Sequence, residues 1–141
     1  MIDFRNKTPF ECFGIECGEG WKELYQPIIN FIDNYNKEHE GTDSFLEILQ
    51  IKEKFGGLRF YWGGENVDKE TRDKITEMIN DAENESYKIC EECGTRENVG
   101  ITVDGWYTTL CKNCVEEITK KRGIMDRKWR YNGKIYIIKH E

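Results

Sequence analysis

The chain reads as an α+β protein: a small helix and β-hairpin core, then a cysteine-clasped finger, then a C-terminal β-hairpin. Three observations predict this. Apolar residues recur at three-to-four spacing in two segments and gather in short β-prone runs between glycine turns in others. Two Cys-x-x-Cys pairs, Cys90/Cys93 and Cys111/Cys114, stand seventeen residues apart, which is metal-site spacing. Asn132-Gly133, the preferred pair of a type I′ turn, lies between two β-prone runs near the end of the sequence.

Taken in order, the first twenty residues place Phe4, Phe10, Phe13 and Ile15 among polar neighbours, with glycines at 14, 18 and 20. That pattern predicts turns rather than a regular element. Residues 21–39 carry Trp21, Leu24, Tyr25, Ile28, Ile29, Phe31, Ile32 and Tyr35, the stripe of an amphipathic helix. Pro27 predicts a kink or a late start, because it lacks the N–H of a helix interior. Residues 45–54 read as a strand, partly two-sided through Leu46, Ile48, Leu49 and Ile51. Phe55-Gly56-Gly57 turns the chain, and residues 58–62 return as a second strand that Gly63-Gly64 ends. Asp68 is the expected N-cap of a helix running to about Asn84, burying Ile75, Met78, Ile79 and Ala82.

Cys90-Glu91-Glu92-Cys93-Gly94 then forms a tight knuckle. Residues 101–103 and 106–110 are β-prone and flank Asp104-Gly105, a two-residue hairpin signal. Cys111-Lys112-Asn113-Cys114 leads into the first turns of a helix. Knuckle, hairpin and a helix start carrying the last two ligands is the layout of a treble-clef zinc finger. Four thiolates complete a tetrahedral shell around one structural Zn2+, leaving no open position at which water could be activated. A treble-clef nuclease would need histidines, and His39 and His140 both lie away from the finger. Cys12 and Cys17 lack a second pair to finish another shell, so buried apolar thiols are the expected state for them. The organisation expected is an α+β core over residues 1–87, the finger over 88–123 and a basic hairpin over 124–141, packed as one unit.

Composition narrows the classes. The 141 residues are 38% hydrophobic and 34% charged, with 13% aromatics, which is enough apolar surface for a core. No apolar run reaches the ~20 residues of a spanning helix, and residues 1–7 lack the apolar centre of a secretory signal. Cytoplasmic zinc is therefore expected rather than a secreted disulfide scaffold. The net charge of −6 is unevenly spread: residues 1–118 hold 13 basic and 25 acidic side chains, and residues 119–141 hold 8 and 2. A basic tail on an acidic body either docks on that body or meets an acidic partner.

Three surfaces compete as functional sites. Lys54, Arg59 and Tyr61 surround the Gly56-Gly57 turn. Arg59 and Tyr61 share the strand face opposite Leu58, Phe60 and Trp62 by period-two alternation. Arg and Tyr are common binding hot spots, and a glycine turn beside Lys54 and Arg59 also admits a phosphate. Arg127, Trp129 and Arg130 mix cations with an aromatic, as single-stranded nucleic-acid binders do. Against that, the overall acidity opposes a nucleic-acid footprint, and packing of Trp129 against the core is the expected alternative. The acidic residues of 68–85 are read as a solvated face, with imitation of a phosphate backbone as the functional alternative.

Glu16-Cys-Gly-Glu-Gly-Trp21, Ile51-Lys-Glu-Lys-Phe-Gly-Gly-Leu-Arg-Phe-Tyr61, Cys90-Glu-Glu-Cys-Gly94 and Gly105-Trp-Tyr-Thr-Thr-Leu-Cys111 stand in that order. Together they resemble a group of small zinc-finger proteins from bacteriophages and bacteria that carries no assigned activity. In that group the last metal position is often histidine, where this chain has Cys114. The resemblance implies a phage setting, in which small proteins frequently bind host proteins. The expected function is thus non-enzymatic binding of a host protein in the host cytoplasm, inhibition of a bacterial defence system being one such role. The alternatives are nucleic-acid binding through the basic tail, and binding or processing of a small ligand such as a nucleotide through Lys54, Arg59 and Tyr61.

Overall fold

The computed structural model describes Phe10, residues 14–123 and residues 125–141. Strand β1 (Ile15–Glu16) and a 3-10 turn (Glu19–Trp21) lead into helix α1 (Lys22–Glu38). A hairpin follows, β2 (Phe45–Lys54) and β3 (Gly57–Glu65), and then α2 (Lys69–Ser86). The second half holds β4 (Val99–Thr102), β5 (Thr109–Cys111), α3 (Lys112–Arg122), β6 (Arg127–Tyr131) and β7 (Lys134–Ile138). Among the described residues these make two sheets, ordered β1-β2-β3 and β5-β4-β6-β7. All their pairings are antiparallel except β1 with β2.

The mixed α+β class stands as expected, with local corrections. Residues 15–16 are not turn: Ile15 pairs with Ile51 and Glu16 with Lys52. Two paired residues are too few to leave a period in the sequence. Helix α1 neither starts late nor stops at Pro27, which lies within it. Pro27 and Glu23 are both exposed residues, so the hydrogen bond that Pro27 lacks falls on the solvent side of the helix, where its loss is cheapest. Strand β3 does not end at Gly63-Gly64: Gly63 pairs with Glu47 and Gly64 with Leu46. The β2–β3 register shifts between Ile48 and Gln50. This bulge lets Leu46, Ile48 and Ile51 all reach the core cluster, explaining the two-sided look of that strand. Helix α2 begins as expected, with the Asp68 carboxylate accepting from the Thr71 amide at 2.9 Å, a cap worth about 1 kcal/mol.

In the second half, Asp104-Gly105 is not a two-residue hairpin turn. Strands β4 and β5 pair through Val99/Cys111, Gly100/Leu110 and Ile101/Thr109, which leaves residues 103–108 as a longer loop. Within it the Thr108 amide donates to the Thr102 hydroxyl at 2.8 Å, and that hydroxyl bonds the Trp106 carbonyl. The terminal hairpin forms as expected, with Asn132 and Gly133 at φ 50° and 77°, the left-handed pair a type I′ turn needs. Strand β6 pairs with β4, so the terminal hairpin shares a sheet with β4 and β5.

Each half has its own core. The first gathers Trp21, Ile28, Ile32, Ile51, Leu58 and Ile75 with their neighbours; the second gathers Leu110, Val115, Trp129 and Ile138 around Cys90 and Cys111. The seam between them is polar and specific. Beside Trp21 Nε1, which donates to the Ile89 carbonyl at 2.9 Å at the end of the first core, the Gly20 amide donates to the Glu91 carbonyl at 2.8 Å and Thr109 Oγ1 to the Gly56 carbonyl at 2.6 Å. A Cβ on Gly20 would run into the Cys90 and Glu91 carbonyls. The glycine motif at 18–20 is therefore where the two halves touch backbone to backbone, whereas Gly56 makes room for the Ile101 and Thr109 side chains of the second half.

Candidate metal centre

The knuckle is built locally. The Gly94 amide donates to the Cys90 carbonyl at 2.9 Å, and Gly94 takes φ 81°, a conformation glycine adopts without steric cost. The Cys90 amide reaches the Thr95 carbonyl at 2.9 Å, and the Glu91 amide reaches the Thr109 carbonyl at 3.0 Å, which ties the knuckle to β5. Strand β5 ends in Cys111. This residue caps α3, its sulfur accepting from the Cys114 amide at 3.4 Å. Helix geometry then brings Cys114 round beside it.

The four sulfurs of Cys90, Cys93, Cys111 and Cys114 all lie within 4.8 Å of one another. Cys93 Sγ and Cys111 Sγ are 3.8 Å apart. A tetrahedral ion with ~2.3 Å bonds to sulfur needs an S···S edge of about 3.8 Å, so the cluster fits a metal ion. All four thiols are free. Cys90 and Cys111 are buried, Cys114 is half-buried and Cys93 is exposed, so the rim at Cys93 gives an ion its way in. Burial pushes the Cys111 and Cys114 thiols up, and contact with Cys111 and Cys93 raises Cys114 further. At Cys93 burial pushes the same way, but the Thr95 amide and the neighbouring sulfurs outweigh it and the thiol is lowered. Four thiolates repel one another. A cation placed among them removes that penalty, which is why binding there and folding are linked.

Cys17 is separate from this cluster, half-buried, and pushed up to about 12 by burial and then by Glu91 and Glu53. That is an inert thiol. Cys12, the other member of the pair considered in the sequence, lies outside the described residues. His39 stacks on Tyr35 at 3.9 Å, and His140 Nδ1 is 2.7 Å from the Asp126 carboxylate; neither is among the clustered residues.

The surface candidates scatter. Lys54 Nζ sits 5.5 Å from the centre of the Phe55 ring. Arg59 is held by Glu83 at 2.8 Å, whereas Tyr61 remains 41% exposed. The Gly56 amide is taken by Glu53 Oε2 at 2.7 Å and the Leu58 amide by Ser86 Oγ at 2.9 Å. With those donors occupied, the turn is no phosphate cradle. Arg127 is clamped through two nitrogens by Asp104, at 2.8 and 3.0 Å. Trp129 is 3% exposed and donates to the Leu110 carbonyl at 3.0 Å; its ring is core, and it presents no stacking platform. Arg130 alone of that trio is open to solvent.

Glu83, Glu91 and Asp104 went unremarked in the sequence as side chains with partners. Glu91 Oε2 accepts from the Gly18 amide at 2.9 Å across the seam. No local signal marks pairings so distant in the chain. The class that fold and site define is a mixed α+β protein with a four-cysteine cluster able to hold a metal ion. No family model, curated protein or solved structure matches the chain. Among the described residues no helix is long and apolar enough to cross a membrane.

Proposed function

We propose that the chain is a non-enzymatic binding protein whose second half is a treble-clef-type finger closed by one structural Zn2+, and that it engages another protein. The observation that carries this is the donor set: four sulfurs all within 4.8 Å of one another, one pair of them 3.8 Å apart. Thiolates suit zinc, and four of them fill its shell, so the ion is a clasp and offers no site for chemistry. The order of knuckle, antiparallel strand pair and helix carrying the last ligand supports the treble-clef assignment. Protein binding is supported by the exposed aromatic and aliphatic side chains of the second half, among them Trp106, Tyr107, Ile135 and Ile137. If the resemblance to phage proteins holds, the partner is a host protein, and a defence component is one candidate.

The test has two parts. Metal analysis of protein purified without added zinc should give one zinc per chain; bridged cysteines or a metal-free fold would end the clasp assignment. Affinity capture from host lysate should return a stoichiometric protein. Recovery of nucleic acid alone would overturn the protein-binding reading. One observation favours that second outcome: Trp106 is 73% exposed beside an open cavity of about 500 Å³ that Arg122 also lines, and an aromatic next to a cation suits an unpaired base. Mobility shift at ~0.15 M salt separates the two readings, because phosphate contacts weaken steeply with salt.

A further inference from the structure

Strand β7 is an open sheet edge. It pairs with β6 on one side, and the sheet order β5-β4-β6-β7 leaves its other side unpaired among the described residues. Natural edges are usually blunted by charge, proline or a bulge. Here Ile135, Tyr136 and Ile137 are 59%, 44% and 51% exposed in succession, with lysine only at the flanks, Lys134 and Lys139.

The register says which backbone groups are free. Across the two-residue turn, Tyr131 and Lys134 form the first hydrogen-bonded pair. Alternation makes Trp129/Tyr136 and Arg127/Ile138 bonded pairs too, and Arg130/Ile135 and Lys128/Ile137 non-bonded ones. The N–H and C=O groups of Ile135 and Ile137 therefore point outward along the open edge. Residues directly opposite share a sheet face, so Ile135 and Ile137 lie on the same face as Arg130 and Lys128, both of which are exposed. Trp129, on the other face, is buried in the second core. Free main-chain donors and acceptors and two β-branched side chains thus coincide on β7, with two cations on the same face of its neighbour β6.

We infer that β7 is a docking edge for an extended segment of another protein, in which carboxylate side chains alternate with apolar ones. Such a segment adds a fifth strand through the Ile135 and Ile137 main chain. Its apolar side chains cover the isoleucines on one face, and its alternating carboxylates, on the other face with Tyr136, meet Lys134 and the net positive charge of this region. Charge selects this occupant: residues 119–141 hold 8 basic and 2 acidic side chains, opposite in sign to the rest of the chain. A second copy would bring a cationic face to a cationic face, over an edge of five residues, against the ~1,200 Å² or more that a stable interface buries. The inference rests on the protein-binding reading above and names its surface.

The probe is a set of end-capped nonapeptides alternating Glu or Asp with Val, Ile or Phe, titrated into the zinc-loaded full chain and read by amide exchange. Slowed exchange at Ile135 and Ile137, with little change at Tyr136, and an affinity that falls with salt support the docking edge. Ile137→Pro removes an outward N–H without removing a β6–β7 hydrogen bond and should weaken binding by about tenfold or more. Ile137→Lys, which keeps the backbone intact, is the second variant and should weaken it similarly. The inference is overturned if no such peptide slows those two amides, or if both variants bind as the parent does. It is equally overturned if sedimentation shows a dimer that protects the same amides without peptide. Capture of one cellular protein equally by parent and by Ile137→Pro overturns the edge and leaves the protein-binding reading standing.

Discussion

The two halves of this molecule are held by different means. Among the described residues, the first buries twelve hydrophobic side chains in one cluster, from Trp21 to Ile89. The second buries six, and two of those are the ligand cysteines Cys90 and Cys111. At roughly 1.5–3 kcal/mol per fully buried large side chain, the first has the apolar content of an ordinary small core. The second, with its four strands and one helix, does not. A half so poor in apolar contacts would take its order from the proposed metal clasp, or from its seam with the first half.

Removing the clasp is the largest expected effect. Chelation, or Cys90→Ser, should abolish the amide dispersion of residues 90–139 while β2, β3 and α1 keep theirs. Structural zinc supplies on the order of 10 kcal/mol in comparable peptides. If the first half melts as well, the seam is cooperative and the two-part picture is wrong. Next in size is a cavity in the first core. Ile51 is fully buried, and Ile51→Ala should cost about 3 kcal/mol in urea unfolding with zinc content unchanged.

A close approach within the first half, beside the seam, can then be probed. A Cβ on Gly57 would collide with the Tyr87 side chain, so Gly57→Ala should cost about 1–3 kcal/mol. Tyr87 is 42% exposed, and adding Tyr87→Ala should restore most of the loss in a double-mutant cycle. Without that recovery, the glycine is required for its backbone and not for the close approach.

The smallest effect is acid fraying of the second half. The His140 ring and amide hold the Asp126 carboxyl down to about 2, and Arg127 lowers Asp104. A carboxylate whose folded value is depressed stabilises above its unfolded value of ~3.9 and loses that contribution as pH falls through the folded one. Exchange at residues 126–128 and 138–140 should therefore quicken between about pH 4 and pH 2, ahead of the first core. Unchanged exchange across that window would show that these ion pairs do not hold the hairpin.

Particular elements show what could be foreseen. The stripe of α1, the Asp68 cap, the Asn132-Gly133 turn and the two cysteine pairs were legible because each is a rule about residues within a few positions of one another. Gly56-Gly57 was legible as a turn, yet its reason lies in Ile101, Thr109 and Tyr87, which reach it from far along the chain. Pro27 misled, because the penalty for an interior proline depends on whether the orphaned carbonyl sees water. Asp104-Gly105 misled as well. The side chain of Asp104 was claimed by Arg127, and the loop lengthened around that pair.

By itself, then, the order of amino acids determined the elements, the α+β class and the identity of the four clustered sulfurs. These follow from short-range periodicity, turn stereochemistry and ligand spacing. Tertiary structure alone decided that Trp129 is core, that Arg59 and Arg127 are already paired, and that Ile135 and Ile137 face outward on an open edge. Such outcomes depend on which distant groups arrive first at a shared volume or a shared charge, and no local pattern encodes that.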